Sequence, residues 1–130
     1  MEKQCIAVPG ISEMLVTSKV PLSPAVKAGS FVFVSGMPPI DRETGKMIEG
    51  DIKAQTKQVL ENVRACLEAA GSSLDKVVKC NVYAANSGYF AAINEVYAGY
   101  FPHDPPARTF AVVGSWPMPF DIEIECIAIT

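Results

Sequence analysis

The chain has 130 residues, of which 49% are hydrophobic and 19% are charged. That length suits residues 1–130 forming one domain around one core, and so apolar a composition excludes an intrinsically disordered chain. The formal net charge is −3, and the 11 lysines and arginines are scattered along the sequence. A nucleic-acid-binding protein usually draws its affinity from a basic stripe that neutralises phosphates, so no nucleic-acid partner is expected.

Membrane, secretion and metal signals are weak in this sequence. No apolar run approaches the roughly 20 residues that span a bilayer, and the first residues show no signal peptide, so we expect a cytoplasmic protein without a membrane partner. The four cysteines are widely spaced in apolar stretches, which predicts buried free thiols rather than disulfides or zinc ligands. His103 is the only histidine, so no metal site is expected.

The first half of the chain predicts a strand followed by a long helix. Residues 1–30 carry only weak strand signals, around residues 5–8 and 14–18. The β-branched and aromatic segment Phe31–Gly36 predicts a strand, and the prolines and turn residues that follow predict a loop to Gly50. Asp51 is the expected N-cap of a helix from Ile52 to Ala70, and Gly71 is its expected C-terminal cap.

The second half predicts a strand, a helix and two final strands. The first strand covers Asp75–Ala85, and a helix capped by Ser87 ends at Pro102. The last two strands, around Arg108 and Glu123, are expected to form a hairpin. This order predicts an α+β sandwich with both helices on one face of the sheet. The other, apolar face should then be buried by self-association.

Arg108 is the residue with the clearest functional signal. It follows Pro105 and Pro106 and begins an apolar strand, where a buried guanidinium without a partner would be very costly. Further along, acidic and apolar residues alternate, which places Asp121, Glu123 and Glu125 on one face of a strand. If the two strands are neighbours, these groups form either a site for a small anionic substrate or only an ion pair.

Five segments, in order along nearly the whole chain, resemble a known family. Each alone is weakly specific, but their order and spacing together are specific. The segments are Phe33–Pro38, the helix with Gln55-Thr56 and Leu60–Val63, Asn94–Phe101, Pro106–Arg108 and Ile122–Glu125. With them the chain is similar to the RidA/YjgF family of reactive intermediate deaminases.

The resemblance implies a fold, an assembly and an activity. The implied fold is a chorismate-mutase-like sandwich of the bacillus type, with a mixed sheet and two helices on one face. The implied assembly is a homotrimer with a cleft at each subunit interface. The implied activity is hydrolysis of 2-enamino and 2-imino acids to 2-oxo acids and ammonia, without a cofactor or metal.

The resemblance also implies roles for particular residues. Arg108 aligns with the family arginine that binds the substrate carboxylate, and Glu123 with the glutamate that orients the attacking water. Gly36 aligns with a glycine at the cleft wall and Asn94 with an asparagine near the site. Phe110 shares a strand face with Arg108 and is expected beside the bound carboxylate.

Two departures from the family pattern leave other functions open. Many members have Gly-Pro-Tyr where this chain has Ser23-Pro24-Ala25, and many have a cysteine where this chain has Phe110. One alternative is therefore a deaminase of a larger substrate of the 2-aminomuconate type. Another is a non-catalytic protein that binds a small carboxylate or acts like a chaperone. Trp116, in a proline-rich loop, could line the cleft or cover a neighbouring subunit.

Overall fold

Six strands form one open mixed sheet in the order β1-β2-β3-β6-β4-β5. The structure is a computed structural model that describes residues 1–130. All neighbouring strands are antiparallel except β4 and β5, which run parallel. The strands are β1 (Lys3–Ile6), β2 (Ala25–Ala28), β3 (Phe31–Met37), β4 (Val77–Ala84), β5 (Ala107–Val112) and β6 (Ile122–Ile129).

Three helices accompany the sheet: α1 (Ile11–Thr17), α2 (Ile52–Ala69) and α3 (Phe90–Tyr100). Helix α2 packs on β3, β6 and α3. The apolar stripe of α2 is fully buried against the sheet, as its helical periodicity predicts. The mixed sheet with α2 and α3 on one face confirms the predicted α+β sandwich. None of the three helices combines the length and the apolarity that a membrane span requires.

Local end signals position α2 as the sequence predicts. The Asp51 carboxylate accepts a hydrogen bond from the Ala54 amide at 2.8 Å, which satisfies one of the free amides of the first turn. Gly71 follows the helix at φ +81°, the left-handed conformation that glycine adopts at helix ends. At α3 the prediction for Ser87 is wrong. Asn86 caps the short turn before α3, and its side chain accepts from the Gly88 amide at 2.7 Å.

The N-terminal segment differs from the sequence prediction. Residues 14–18 were expected as a strand, but they belong largely to helix α1. Ile11 and Leu15, one helical turn apart, are the buried residues of α1. The Glu13 side chain accepts a hydrogen bond from the Gly10 amide and caps the first turn of the helix. The β-branched residues Val16 and Thr17 made the sequence pattern of this segment indicate a strand instead. Strand β2 was not predicted.

The expected hairpin between the last two strands is also wrong. Strand β4 lies between β5 and β6 in the sheet, so the Arg108 and Glu123 strands are not neighbours. Strand β5 follows β4 through the crossover helix α3 and pairs with it in parallel, as such crossovers favour. The long connection from Val113 to Asp121 then carries the chain past β4 to the centre of the sheet.

One face of the sheet has no helix on it, and we call it the open face. It carries Phe31 and Phe33 on β3, which are 47% and 43% exposed, and Ile129 on β6, which is 40% exposed. The alternate residues of the same strands are buried on the helix side. The uncovered apolar face is thus present as predicted.

The cysteines are free, and three of them are buried: Cys66, Cys80 and Cys126. Burial raises the pKa of the Cys66 thiol to about 12 and raises the pKa of Cys126 as well. Neither thiol is therefore a ready nucleophile. The prediction is wrong for Cys5, which is exposed on the edge strand β1.

Candidate functional site

Arg108 projects from the edge strand β5 toward helix α3. Its register partner on β4 is Cys80, which is fully buried on the helix side. The Arg108 guanidinium lies over the Tyr97 ring, 4.8 Å from its centroid, and near the Phe90 ring at 5.6 Å. Cation–π contacts of this kind hold an arginine in place without neutralising it.

No carboxylate pairs with Arg108. The chain contains two ion pairs, Lys53–Glu95 and Arg64–Glu61, and Arg108 is in neither. Arg64 offers a direct comparison, because it also lies over a tyrosine ring, at 5.2 Å from the Tyr100 centroid, but binds Glu61 at 2.9 Å. The ion-pair reading of Arg108 therefore does not hold within one chain, and its guanidinium retains donors for an anion.

Asn94 and Phe110 lie beside Arg108. Asn94 is on α3 between Phe90 and Tyr97, at the spacing that places all three on one side of the helix. Its side-chain oxygen is buried and has no hydrogen-bond partner. Phe110 meets the Phe90 ring edge to face, with centroids 5.0 Å apart. We call Arg108, Asn94, Phe110, Phe90 and Tyr97 the arginine half-site.

Phe90 and Tyr97 were not identified as site residues from the sequence. Aromatic residues on a helical stripe usually belong to the core, and Tyr97 is indeed buried. The sequence feature that could have identified them is their spacing around Asn94, which places both rings on the helix face that carries the Asn94 amide. The Tyr97 hydroxyl, like the Asn94 oxygen, is buried without a partner. Burial also raises its pKa, so it stays protonated.

Glu123 lies on the open face, next to Gly36. Its register partner on β4 is Tyr83, while its strand neighbours Ile122 and Ile124 are buried on the helix side. Strand β3 has a bulge between Val34 and Met37 where it pairs with β6. At this bulge a Cβ on Gly36 would lie 2.0 Å from Glu123 Oε1, so only glycine leaves room for the carboxylate.

The other two acidic residues of the alternation are already engaged. Glu125 accepts a hydrogen bond from the Tyr83 hydroxyl at 2.5 Å, which raises the pKa of Tyr83. Asp121 accepts from the Gln55 side chain at 2.9 Å, and its amide donates back to Gln55 at 2.8 Å. Glu123 has no such partner. Burial raises its pKa above the ordinary 4.5, and the nearby Glu125 charge raises it further.

A cavity of about 230 Å³ opens beside Glu123 and Gly36. Trp116 lines it and stacks on Phe120, with ring centroids 4.6 Å apart. Whether Trp116 lines the intersubunit cleft or covers a neighbouring subunit stays a prediction. We call Glu123, Gly36 and this cavity the glutamate half-site. A larger groove of about 390 Å³ around His103 contains none of the predicted site residues.

The five predicted site residues thus form two separate groups. Arg108, Asn94 and Phe110 lie on the helix side at the sheet edge, and Gly36 and Glu123 lie on the open face. Strand β4 separates β5 from β6, so one chain does not bring the guanidinium and the free carboxylate together. No cluster of three or more potential metal ligands is present.

The sequence and the fold are similar to those of proteins already known. A family model described as endoribonuclease L-PSP matches residues 13–130. A RutC family protein from Pyrococcus horikoshii is 53% identical over 108 residues, which are 83% of this chain and 86% of the relative. The chain belongs to the RidA/YjgF family.

Two further proteins are similar to this chain. The chloroplastic Reactive Intermediate Deaminase A of Arabidopsis thaliana is 43% identical over 83% of this chain and 58% of its own. The structure of E. coli TdcF with bound serine is 38% identical and matches with a TM-score of 0.79 over 85% of this chain and 88% of that chain. Matches to solved structures confirm the chorismate-mutase-like fold expected for the RidA/YjgF family.

Proposed function

We propose that the protein hydrolyses 2-enamino and 2-imino acids to 2-oxo acids and ammonia. The observation that carries this proposal is the Arg108 guanidinium, half-buried over two aromatic rings and without an acidic partner. A guanidinium binds a carboxylate through two parallel N–H bonds, which a lysine cannot do. Arg108 is therefore suited to hold the carboxylate that every 2-imino acid carries.

Glu123 is the proposed base of the reaction. Its unpartnered carboxylate takes a proton from water, and the water oxygen attacks the electrophilic imine carbon. That proton passes to the nitrogen to give a carbinolamine. The hydroxyl proton of the carbinolamine is then transferred through Glu123 to the nitrogen as the carbon–nitrogen bond breaks, which leaves the 2-oxo acid and ammonia. A base placed in this way often contributes a rate factor of roughly 10²–10⁴. The raised pKa of Glu123 makes its carboxylate a stronger base than that of an ordinary glutamate.

Three other residues complete the proposed binding site. The buried Asn94 oxygen, which has no partner in the chain, can accept a hydrogen bond from the imine or amine nitrogen. The backbone amides near Gly36 and Phe110 are candidate donors to the substrate. Phe110, packed edge-on against Phe90, forms the wall beside the carboxylate.

We propose that the two half-sites meet between subunits of a homotrimer. Within one chain the two half-sites lie on opposite sides of the sheet and do not meet. The arginine half-site of one subunit would therefore face the glutamate half-site of its neighbour. The exposed Phe31 and Phe33 on the open face supply an apolar surface for such an assembly. The site is then incomplete in an isolated chain.

The names of the relatives support deamination. The Arabidopsis relative is named a Reactive Intermediate Deaminase, and serine, which is bound in E. coli TdcF, carries a carboxylate next to a nitrogen-bearing carbon. The matching family model is also called an endoribonuclease. RNA cleavage has less support here, because the net charge is −3 and the single histidine, His103, is exposed and in no ion pair.

The test is deamination of 2-aminoacrylate by wild type, Arg108→Ala and Arg64→Ala. The substrate is generated from serine by a dehydratase, and semicarbazide traps the remaining imine. Hydrogen bonds to charged groups contribute about 1.5–3 kcal/mol each, so Arg108→Ala should lower kcat/KM by roughly 10²-fold or more. Arg64→Ala removes an arginine from a similar ring contact and should leave the rate unchanged. Equal rates for wild type and Arg108→Ala would refute the assigned carboxylate site.

A further inference from the structure

Tyr83 and Glu125 form a hydrogen-bonded pair beside Glu123, and the proposed reaction does not use it. The Tyr83 hydroxyl donates to Glu125 Oε1 over 2.5 Å. In the pairing of β4 with β6, the residue directly opposite Tyr83 is Glu123, and Glu125 lies two residues further along β6. Directly opposite and diagonal neighbours on a sheet are both within reach of a long side chain. The phenol therefore bonds to the diagonal carboxylate and leaves the directly opposite one unpaired.

Glu123 and Glu125 are close enough to share one proton. They stand two residues apart on β6, which is about 7 Å along a strand, and the burial pattern of β6 places both on the open face. Two flexible glutamate side chains at this spacing can meet. When two carboxylates meet, they bind one proton between them, because their like charges repel when both are ionised. A Glu123 carboxylate engaged in this way is not free to deprotonate water.

Few other ionisable groups face Glu123. Strand β3 carries none, and the cavity beside Glu123 is lined by no other charged residue. Asp121 is hydrogen-bonded to helix α2, and Lys79, the one cation of β4, is hydrogen-bonded to β5. In the proposed trimer, the guanidinium of a neighbouring subunit would also face Glu123. Within the chain, Glu125 is thus the carboxylate that can disturb Glu123, and Tyr83 restrains it.

We infer that Tyr83 is a positioning residue for the proposed base, because it holds Glu125 away from Glu123 and keeps the Glu123 carboxylate free for water. The inference rests on the proposed function, in which Glu123 is the base. Burial and then the nearby charge of Glu125 raise the pKa of Glu123. Direct contact would raise that pKa further and keep a proton on the pair at a pH where the base must be ionised. The hydrogen bond also raises the pKa of Tyr83, so its hydroxyl remains a donor.

Tyr83→Phe tests this role through the pH dependence of deamination. The variant keeps the ring and removes the hydroxyl, so Glu125 is free to reach Glu123. An excess of an amino-acid oxidase with catalase generates the alanine imine, and semicarbazide traps what remains of it at each pH. We expect the acidic limb of the kcat/KM profile to move up by about one pH unit or more, the size of coupling expected for interacting carboxylates. On the alkaline side of this limb, where both carboxylates are ionised, the rate should equal that of wild type.

Two further variants separate this coupling from a structural effect. Tyr100→Phe is the matched control, because it also removes a hydroxyl that donates to a glutamate, Glu61 of α2 at 2.6 Å, and it should leave the profile unchanged. The double variant Tyr83→Phe with Glu125→Gln removes the competing carboxylate, so its acidic limb should return to the wild-type pH or below. A limb that stays displaced in the double variant would assign the effect of Tyr83→Phe to structure and overturn the inference.

Nuclear magnetic resonance of the Glu123 carboxyl carbon tests the inference without an activity assay. The protein carries isotope-labelled glutamate, and the signal is assigned by its loss in Glu123→Gln. Its titration midpoint should rise in Tyr83→Phe and fall in Glu125→Gln, which removes the neighbouring charge. An unchanged midpoint in either folded variant would overturn the inference while leaving deamination standing. Wild type that deaminates no imine would instead refute the proposed function and, with it, the role of Tyr83.

Discussion

Arg108 and Glu123 are kept free in different ways. Arg108 lies over the Tyr97 and Phe90 rings, so it is positioned by contacts that leave its N–H donors unused. Glu123 is kept free because its acidic neighbours are bound elsewhere, Glu125 by Tyr83 and Asp121 by Gln55. Because the Glu123 carboxylate is half-buried, has no partner and lies near Glu125, its charged form is destabilised. Such a cost in stability is common for active-site residues, the role proposed for Glu123.

Glu123→Gln should separate activity from stability. The variant removes the proposed base, so kcat for a 2-imino acid should fall by roughly 10²–10⁴-fold. It also removes the destabilised charge, so the melting temperature at pH 7 should rise. Glu125→Gln is the matched control on the same strand and should lower stability, because it weakens the acceptor of the Tyr83 hydroxyl.

The pH dependence of this stability difference has a defined sign. The pKa of folded Glu123 is raised above the ordinary 4.5, so its contribution to stability is fully present below that value and is lost as pH rises through the folded pKa. The gain from Glu123→Gln should therefore be present at pH 7 and vanish below pH 4.5. Melting curves of both proteins from pH 4 to 8 check this. A gain that is constant over the whole range would contradict the burial argument.

At the scale of elements, the bulge in β3 makes room for the Glu123 carboxylate. A bulge places two residues of one strand against one of its partner and re-aims the local side chains. Here it falls between Val34 and Met37 and brings the Gly36 backbone against the Glu123 carboxylate. Without a Cβ at position 36, the carboxylate can lie flat against the strand and face the cavity.

Gly36→Ala should displace the Glu123 carboxylate. The added Cβ would lie 2.0 Å from Oε1, and the flexible glutamate rather than the backbone would give way. We expect kcat to fall by about tenfold or more, since small misplacements of a catalytic group are costly, with little change in melting temperature. Gly99→Ala is the control. No atom lies within 4 Å of its added Cβ, so activity should not change and the helix should gain about 0.5–1 kcal/mol. Full activity of Gly36→Ala would show that Glu123 is not held there.

Elements set by local patterns could be predicted from the sequence, and elements set by distant pairing could not. Strand β3 and helix α2 follow from residue type, periodicity and the Asp51 cap. The position of β6 depends on its pairing with both β3 and β4, which no local pattern encodes. The sequence did indicate Arg108 and Glu123 as candidate site residues. It wrongly placed their strands next to each other, because the pairing of β6 with β4 could not be predicted. Phe90 and Tyr97 were missed because a ring beside a guanidinium and a ring in the core have the same helical spacing.

At the scale of the whole molecule, the separation of Arg108 and Glu123 into two half-sites predicts that each complete site is shared between two subunits. If each site takes Arg108 from one subunit and Glu123 from the next, subunits with complementary defects can form intact sites. An Arg108→Ala subunit still supplies Glu123, and a Glu123→Gln subunit still supplies Arg108. Neither variant alone forms a complete site, whatever its oligomeric state.

Mixing Arg108→Ala with Glu123→Gln should therefore restore activity. When the two are co-expressed in equal amounts and assemble at random into a cyclic trimer, about a quarter of the interfaces combine both intact residues. The mixture should show close to that fraction of wild-type activity per site, measured with the same imine assay. Wild type mixed equally with the double variant is the control, because random exchange lowers its activity from about half to about a quarter only if the site is shared between subunits. No recovery in the first mixture, with mixed trimers verified by mass, would place both residues in the site of a single chain and refute the shared cleft.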